Sequence, residues 1–506
     1  MTLDEVPNQS TDRAFDAVPS MAQSSRATIT LLIVCANTIQ FISNSITFTG
    51  GLSITQDLGG KAGPGQANWM PASYPLTQSA FVLITGRLGA IYGHKRLTIL
   101  GCCIFGVFSL VNAFCTNYEA FIAARALTGV GGGIFMPNAV SMITVMIPPG
   151  RSRNLFLGFF AASPPLGGSL GAMLTGVFID SVGWKWLFVL IGILTAIITV
   201  WLMLITPKET PIDEQGRIDY IGAFSGLGSL LIFNIVCNQA PSVGWSAPSV
   251  IGCLSATAVL FGAFLIWEKK FLKEPIMPLS IFKAPSFSAL LCVVLLSYMG
   301  FGIAIWYSIS WMQVFRNTSV LQTGINFIPF GIASLIAVFL TAWLVSRVSA
   351  QWIMAVGVGV ILVASILLAT MPEQQTYWAQ VFPAMVLTGF CPDLVFVAAQ
   401  VIASNSVNRR QQGVASSLVG TLNLYGNSLG LGIAAIIETE VDKKGAEATS
   451  GYRAALYFSA GIALVGLCLD ICFVRVPKID HNGWDDDGVA ETEGNRLEAT
   501  STALSL

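Results

Sequence analysis

Charge is what this sequence has least of. Asp, Glu, Lys and Arg make up 10% of its 506 residues against 54% apolar ones, and the mean hydropathy is +0.70. A soluble chain covers its surface with charged side chains, so a soluble globular protein is excluded. Histidine is scarcer still: His94 and His481 are the two. The ten cysteines sit mostly inside apolar runs without metal-ligand spacing, and Cys102-Cys103 and Cys468 with Cys472 read as small packing residues. No metal site, disulfide framework or nucleophile constellation is therefore expected, and no enzyme. A net charge of −1 offers no basic field for nucleic acid, and no Gly-rich phosphate loop implies a nucleotide. The N-terminus carries Asp4, Glu5, Asp12 and Asp16 before its first apolar run. A secretory signal needs a basic start, so that run is expected to stay as a transmembrane helix.

What the chain has instead is apolar runs of about twenty residues, the length that crosses a roughly 30 Å hydrocarbon layer. Turn and charge signals divide them into fourteen spans. The first six are 28–51, 70–91, 97–115, 119–147, 154–179 and 186–205. Two follow at 218–238 and 248–268, and the last six are 286–311, 320–345, 352–370, 378–404, 412–437 and 454–475. The fold class is all-α, a polytopic membrane protein in a 6+2+6 arrangement. Its expected parts are a disordered N-terminus (1–27), a six-helix lobe (28–205), a two-helix insertion (206–285), a second six-helix lobe (286–476) and a disordered acidic tail (477–506). Lys and Arg concentrate in the even-numbered connections: Lys95, Arg96, Arg151, Arg153, Lys208, Arg217, Lys269, Lys270, Lys273, Lys283, Arg347, Arg409 and Arg410. The odd-numbered ones hold Lys61, Lys185, Arg316, Lys443, Lys444 and Arg453. That asymmetry places the even connections and both termini in the cytoplasm.

The two lobes repeat one another. Ala124 to Gly129 in span 4 matches Ala384 to Gly389 in span 12, an offset of 260. Gly167 to Gly171 in span 5 matches Gly426 to Gly430 in span 13, an offset of 259, and Asn68 to Pro71 matches Asn326 to Pro329, an offset of 258. An even number of spans separates the copies, so the lobes run parallel, related by an axis along the membrane normal. Such pairs rock around a site near the bilayer midplane.

Several motifs lie on this frame. After span 2 comes Gly86-Arg87-Leu88-Gly89-Ala90-Ile91-Tyr92-Gly93-His94-Lys95-Arg96. It resembles the loop signature G-x-L-a-D-R-x-G-R-K of the major facilitator superfamily, matched at Gly86, Leu88, Gly93 and Lys95, with Arg96 just beyond. Ala90 stands where the signature has its aspartate, which in that family helps latch the lobes, so the latch is expected to be weakened or rebuilt. A degenerate copy follows span 10 at Leu344, Ser346 and Arg347. Span 4 carries Arg125 to Gly131, similar to R-x-x-Q-G-x-G with Thr128 for Gln. In the family this arginine is implicated in proton coupling. Span 5 matches the antiporter motif G-x-x-x-G-P-x-x-G-G at Pro164, Gly167 and Gly168, with Phe159 and Ser163 replacing two glycines. There the motif accompanies export; small-residue packing without directional meaning is the alternative. Trp69 to Thr77, Gly86 to Gly89 and Asn427 to Ile433 resemble the fourteen-helix drug:proton antiporter family, and within it the fungal aminotriazole-resistance branch. The likeness runs over roughly 28–475 and leaves the substrate open.

Other candidates come from the residues themselves. Asp393 lies mid-span after Pro392, where a carboxylate is costly and suits proton uptake and release; bonding to backbone freed by the proline is the bland alternative. Asn37, Gln40 and Asn44 share one face of span 1, and Asn423 with Asn427 share one of span 13, joined by Asn234 in span 7. Amides so arranged suit either a solute-lining wall or glue between helices. Asp470 ranks below Asp393, and Trp306, Tyr307, Trp311 and Phe330 offer either a ring-rich surface or an interface belt. The sequon at Asn317 sits in a short connection too close to the membrane for glycosylation to be expected.

The resemblance implies a proton-coupled exporter of a drug or metabolite that works as a monomer by alternating access, with no cofactor beyond the proton gradient; the plasma membrane is its expected place, with a vacuolar or vesicle membrane the alternative. A carrier of a small polar solute such as ammonium or borate is one alternative, and a non-transporting receptor another.

Overall fold

The computed structural model describes residues 23–475 apart from 61–63, 148–149, 208, 210, 212–218, 271–280, 283, 285, 408–410 and 443–447. The expected disordered segments, beyond residues 23–27, and several of the counted basic residues lie outside the described residues. Residues 23–27 belong to the first helix instead, which begins five residues before the expected start.

Among the described residues all regular structure is helical, with fourteen long helices. These are α1 Gln23–Thr49, α2 Trp69–Tyr92, α3 His94–Phe114, α4 Tyr118–Met146, α5 Arg151–Ser181, α6 Trp184–Ile205, α7 Tyr220–Val243, α8 Pro248–Lys270, α9 Phe287–Val314, α10 Val320–Leu344 (bent at Phe327), α11 Ala350–Ala369, α12 Val381–Ser406, α13 Gln412–Asp442 and α14 Ala448–Phe473. Each coincides with an expected span. Twelve meet both the length and the hydropathy a membrane crossing needs. The others, α2 and α13, are 24 and 31 residues long and carry the polar side chains of the helix contacts described below. The protein is a multi-pass integral membrane protein.

Local chemistry sets the helix ends. Asn117 caps α4 by accepting from Ala120 N at 2.8 Å, and Asp219 caps α7 by accepting from Gly222 N at 2.9 Å. The α2–α3 turn passes through Gly93 at φ 99°, a backbone region that side chains with a Cβ rarely enter.

Packing follows the repeat helix by helix. In the first lobe α1 lies on α5, α2 on α4, and α3 on both α4 and α6. In the second, α9 lies on α13, α10 on α12, and α11 on both α12 and α14. The lobes meet where α2 contacts α13 and α5 contacts α10, a pair of contacts that the same two-fold exchanges. Helices α7 and α8 stand outside this symmetry: α7 packs on α13 and α2, and α8 on α7.

The repeated glycines explain the match. Between apolar helices in lipid there is little hydrophobic drive, so association depends on close backbone approach. A Cβ on Gly167 or Gly171 would press on the Thr38 and Ile42 carbonyls of α1; on Gly426 or Gly430 it would press on the Leu295 and Met299 carbonyls of α9. Gly129 likewise faces the Tyr74 carbonyl of α2, and its partner Gly389 the Phe330 carbonyl of α10. Hydroxyls reinforce those seams, Thr77 Oγ1 donating to Ala126 O at 2.6 Å and Ser334 Oγ to Gly389 O at 2.6 Å.

Candidate functional site

Arg125 is fully buried on α4. Its Nη1 donates to Ser43 Oγ at 2.9 Å and its Nη2 to the Ser43 carbonyl at 3.3 Å, both on α1. The guanidinium lies 4.9 Å from the Tyr74 ring centre and 5.7 Å from that of Phe188. Tyr74 in turn donates to Gln40 Oε1 at 3.3 Å. No carboxylate pairs with Arg125 among the described residues, and its Nε has no hydrogen-bond partner. Three helices of the first lobe thus converge on one buried cation held by hydroxyls, a carbonyl and aromatic faces. It does not snorkel to the surface.

Asp393 lies twelve residues into the 26-residue α12, about 18 Å along its axis, and is partly exposed. Pro392 leaves a backbone carbonyl without its helical partner one turn earlier. Nevertheless, among the described residues no group hydrogen-bonds the Asp393 carboxyl; the nearby Tyr298 hydroxyl of α9 donates to Pro392 O instead, at 2.8 Å. The proline-bonded alternative is therefore not what the geometry has. Asp470, on α14, is fully buried; its carboxyl oxygens have no hydrogen-bond partner among the described residues, and Gln351 Nε2 donates to its backbone carbonyl.

The amides divide into two groups. Asn37 is fully buried and donates to Ser163 Oγ at 2.7 Å, joining α1 to α5; Gln40 is 2% exposed and held by Tyr74. Asn234 is buried between α7 and α13, where its Oδ1 accepts from Ser428 Oγ at 2.9 Å and Asn238 Nδ2 at 2.8 Å. In this conformation these three are glue inside helix seams, a correction to the expectation of a solute-lining wall. The reason is physical: a polar donor buried in an apolar surrounding is stable once a protein acceptor takes it, as Ser163 Oγ does for the Asn37 amide, whose Oδ1 is left without a partner among the described residues. Asn44, Asn423 and Asn427 remain partly exposed, and the Oδ1 atoms of Asn44 and Asn427 have no hydrogen-bond partner among the described residues.

At the α2–α3 turn Gly89 leaves room for Asn138 and His94, whose Oδ1 and Nδ1 lie 2.9 Å apart. Asn138 also donates to Thr85 O at 3.1 Å, so the turn is bolted to α4. Glu209, beyond α6, accepts from Lys95 N at 3.1 Å, and Lys95 Nζ reaches the Thr206 carbonyl. The acid that meets this loop thus comes from the end of the same lobe, while position 90 keeps its alanine. Leu88 is partly exposed and Arg96 exposed. In span 5, Gly167 is a contact glycine, whereas a Cβ on Gly168 would meet nothing within 4 Å. Pro164 lies within α5 and is partly exposed.

At the opposite face, that of the odd-numbered connections, hydrogen bonds cross between the lobes. Trp306 Nε1 donates to Asn68 Oδ1 at 2.6 Å, Asn68 Nδ2 to Leu431 O at 3.3 Å, and Gln313 Nε2 to the Thr49 carbonyl at 2.7 Å. Tyr307, beside Trp306, donates to Glu438 Oε2 at 2.6 Å. Trp306, Tyr307 and Trp311 are at most 2% exposed and Phe330 is 7% exposed, so these rings form neither an interface belt nor a lipid-facing surface. Glu438 went unnoticed in the sequence because the expected span stops at residue 437, whereas α13 runs on to Asp442.

Two repeated six-helix lobes, tied at one face, with a buried cation in one and a mid-helix carboxyl in the other, define a membrane transporter. The Major Facilitator Superfamily model matches residues 32–430 and, in a second alignment, 289–491; the chain belongs to that superfamily. It is 32% identical to the efflux pump terJ of Aspergillus terreus, covering 83% of each chain. It is also 32% identical to the low affinity ammonium transporter of Saccharomyces cerevisiae, covering 81% of each, and 30% identical to that yeast's aminotriazole resistance protein, covering 81% of this chain and 77% of the relative. The crystal structure of an auto-inhibited POT family peptide transporter shares the fold, with a TM-score of 0.63 at 16% identity over 90% of this chain and 99% of its own.

Proposed function

We propose that this chain is a proton-driven exporter of a hydrophobic or amphipathic compound, a drug or secondary metabolite, working by alternating access as a monomer. The observation that carries the reading is the Asp393 carboxyl: mid-helix, partly exposed and without a hydrogen-bond partner among the described residues. Such a group is free to bind a proton in one conformation and release it in another. Arg125 tunes that exchange by keeping a fixed positive charge in the other lobe, and the partly exposed Asn44, Asn423 and Asn427 offer amides to the solute. No cofactor is required beyond the proton gradient. The basic even-numbered connections support cytoplasmic termini, and the ties at the odd face then make this the conformation closed to the outside. We assign it to the plasma membrane. Export is supported by the partial motif at Pro164 and Gly167 and by the likeness to an efflux pump.

A second reading, a carrier of ammonium, is favoured by an equally similar relative of that name. Purified protein in vesicles with an imposed pH gradient separates the two. Gradient-driven movement of a lipophilic dye is expected; ammonium flux without dye movement would sink the exporter reading.

A further inference from the structure

Glu438 is 3% exposed near the odd-face end of α13, and its Oε2 accepts the Tyr307 hydroxyl hydrogen at 2.6 Å. That hydrogen is the only one Tyr307 has, so towards Asn68 Nδ2, 3.4 Å away, its oxygen acts as acceptor. Trp306 can only donate, which turns the Asn68 oxygen to it at 2.6 Å and leaves the amide nitrogen for Tyr307. The result is a directed chain, Trp306 to Asn68 to Tyr307 to Glu438, in which every donor points towards one carboxylate. Asn68 belongs to the first lobe and the other three to the second, so the chain spans the lobe boundary.

Among the described residues, the ionisable groups that act on Glu438 come from three helices. Tyr307 comes from α9, Tyr452 from α14 with its ring 5.3 Å from that of Tyr307, and Asp442 from the next turn of α13. Arg453 of α14 does not neutralise it, being held 5.8 Å from the Trp311 ring and bonded to the Met371 carbonyl. Glu440, two residues on along the same helix, is exposed. Glu438 is thus a buried acid whose hydrogen bond from Tyr307 leads directly into the contact between lobes.

Resting on the proton-driven reading above, we propose that Glu438 is a second proton-carrying residue, which ties the lobes at the odd face when ionised and lets them part there when protonated. An ionised acceptor makes the hydrogen bond to it roughly twice as strong as a neutral one, and each bond in a chain polarises the next. A proton added to the carboxylate removes the charge at the end of the chain, and the Asn68 link to Tyr307, already long, loses its support. Protons arriving at the odd face then favour opening at that face, the step by which an exporter presents its solute to the outside.

The test measures the spacing of the lobes. Spin labels are placed on Gln56 and Thr376, exposed residues at the odd-face ends of the two lobes, in full-length protein whose exposed cysteines (Cys35, Cys103, Cys292, Cys468 and Cys472) are serine. Electron–electron distances in lipid nanodiscs are followed as the pH falls. Wild type is expected to pass from the short to the long distance; Glu438→Gln is expected to favour the long distance at every pH, Tyr307→Phe to lose the pH response, and Glu438→Asp to regain part of it. Glu438→Gln titrating like wild type, or a wild type whose spacing ignores pH, overturns the proposal. Should Glu438→Gln fail to fold, Tyr307→Phe and Glu438→Asp decide by the same readout. Gradient-driven flux is measured in parallel. Its absence in wild type defeats the exporter reading, whereas flux with an unaltered Glu438→Gln titration defeats the Glu438 assignment alone.

Discussion

The guanidinium of Arg125 lies 4.9 Å from the centre of the Tyr74 ring, and the two residues join α4 to α2 in the middle of the first lobe. A buried cation with no carboxylate beside it among the described residues depends on the geometry of its neutral partners. A planar fork that stacks on a ring while bonding both oxygens of Ser43 is a task for arginine and not for lysine.

Arg125→Lys is therefore expected to abolish gradient-driven transport while the protein still reaches the membrane. Tyr74→Leu removes the cation–ring contact, worth about 2 kcal/mol when desolvated. Tyr74→Phe keeps that contact and loses only the hydrogen bond to Gln40, about 1 kcal/mol. Thermal unfolding in detergent should rank Phe above Leu; equal losses would show that the ring face contributes nothing.

Asp393→Asn keeps the shape of the side chain and removes the proton site. Uptake driven by a pH gradient should fall to the level of empty vesicles, while exchange of solute across membranes without a gradient continues. An unchanged pH dependence in this variant would remove Asp393 from the mechanism and leave Glu438 as the remaining candidate.

How much of this was legible in the sequence depends on the physical signal involved. Helix number and position followed from hydropathy, since the bilayer sets a length that twenty apolar residues must meet. The repeat was readable because Gly129 and Gly389, or Gly167 and Gly426, answer the same steric demand in both lobes. The side on which a polar residue faces left no such trace. Asn37 and Asn44 sit on one stripe of α1, yet Asn37 is sealed against Ser163 and Asn44 is partly exposed. Glu438 was hidden for the opposite reason: an acid near the end of an apolar run looks like the start of a loop, and only the contact with Tyr307 reveals it as buried.

The α1–α5 seam offers a matched pair of substitutions. A Cβ on Gly167 would stand 2.5 Å from the Thr38 carbonyl and 2.8 Å from Phe41 Cβ, whereas one on Gly168 meets open space. Gly167→Ala should cost about 1–3 kcal/mol by overpacking. Gly168→Ala should be neutral or stabilise by up to about 1 kcal/mol, the helix propensity gained. Unfolding temperatures of the two purified variants check this. The same pair tests whether the antiporter motif matters through packing: transport should follow stability in Gly167→Ala and stay intact in Gly168→Ala.

The motif loop makes a comparable distinction by backbone conformation. Gly93 holds φ 99° and ψ 129° between α2 and α3, while Gly86 lies within α2 and a Cβ there would meet only Pro137, at an ordinary 3.8 Å. Gly93→Ala forces a side chain into a region that costs of order 1–3 kcal/mol, and the strain falls where Lys95 N and its side chain hold the end of the lobe through Glu209 and Thr206. Local opening at this turn should make the variant more sensitive to protease added from the even-loop face. Gly86→Ala, by contrast, should match wild type in both stability and cleavage. Similar behaviour of the two variants would mean that the positive-φ backbone of the turn is not what Gly93 provides to this loop.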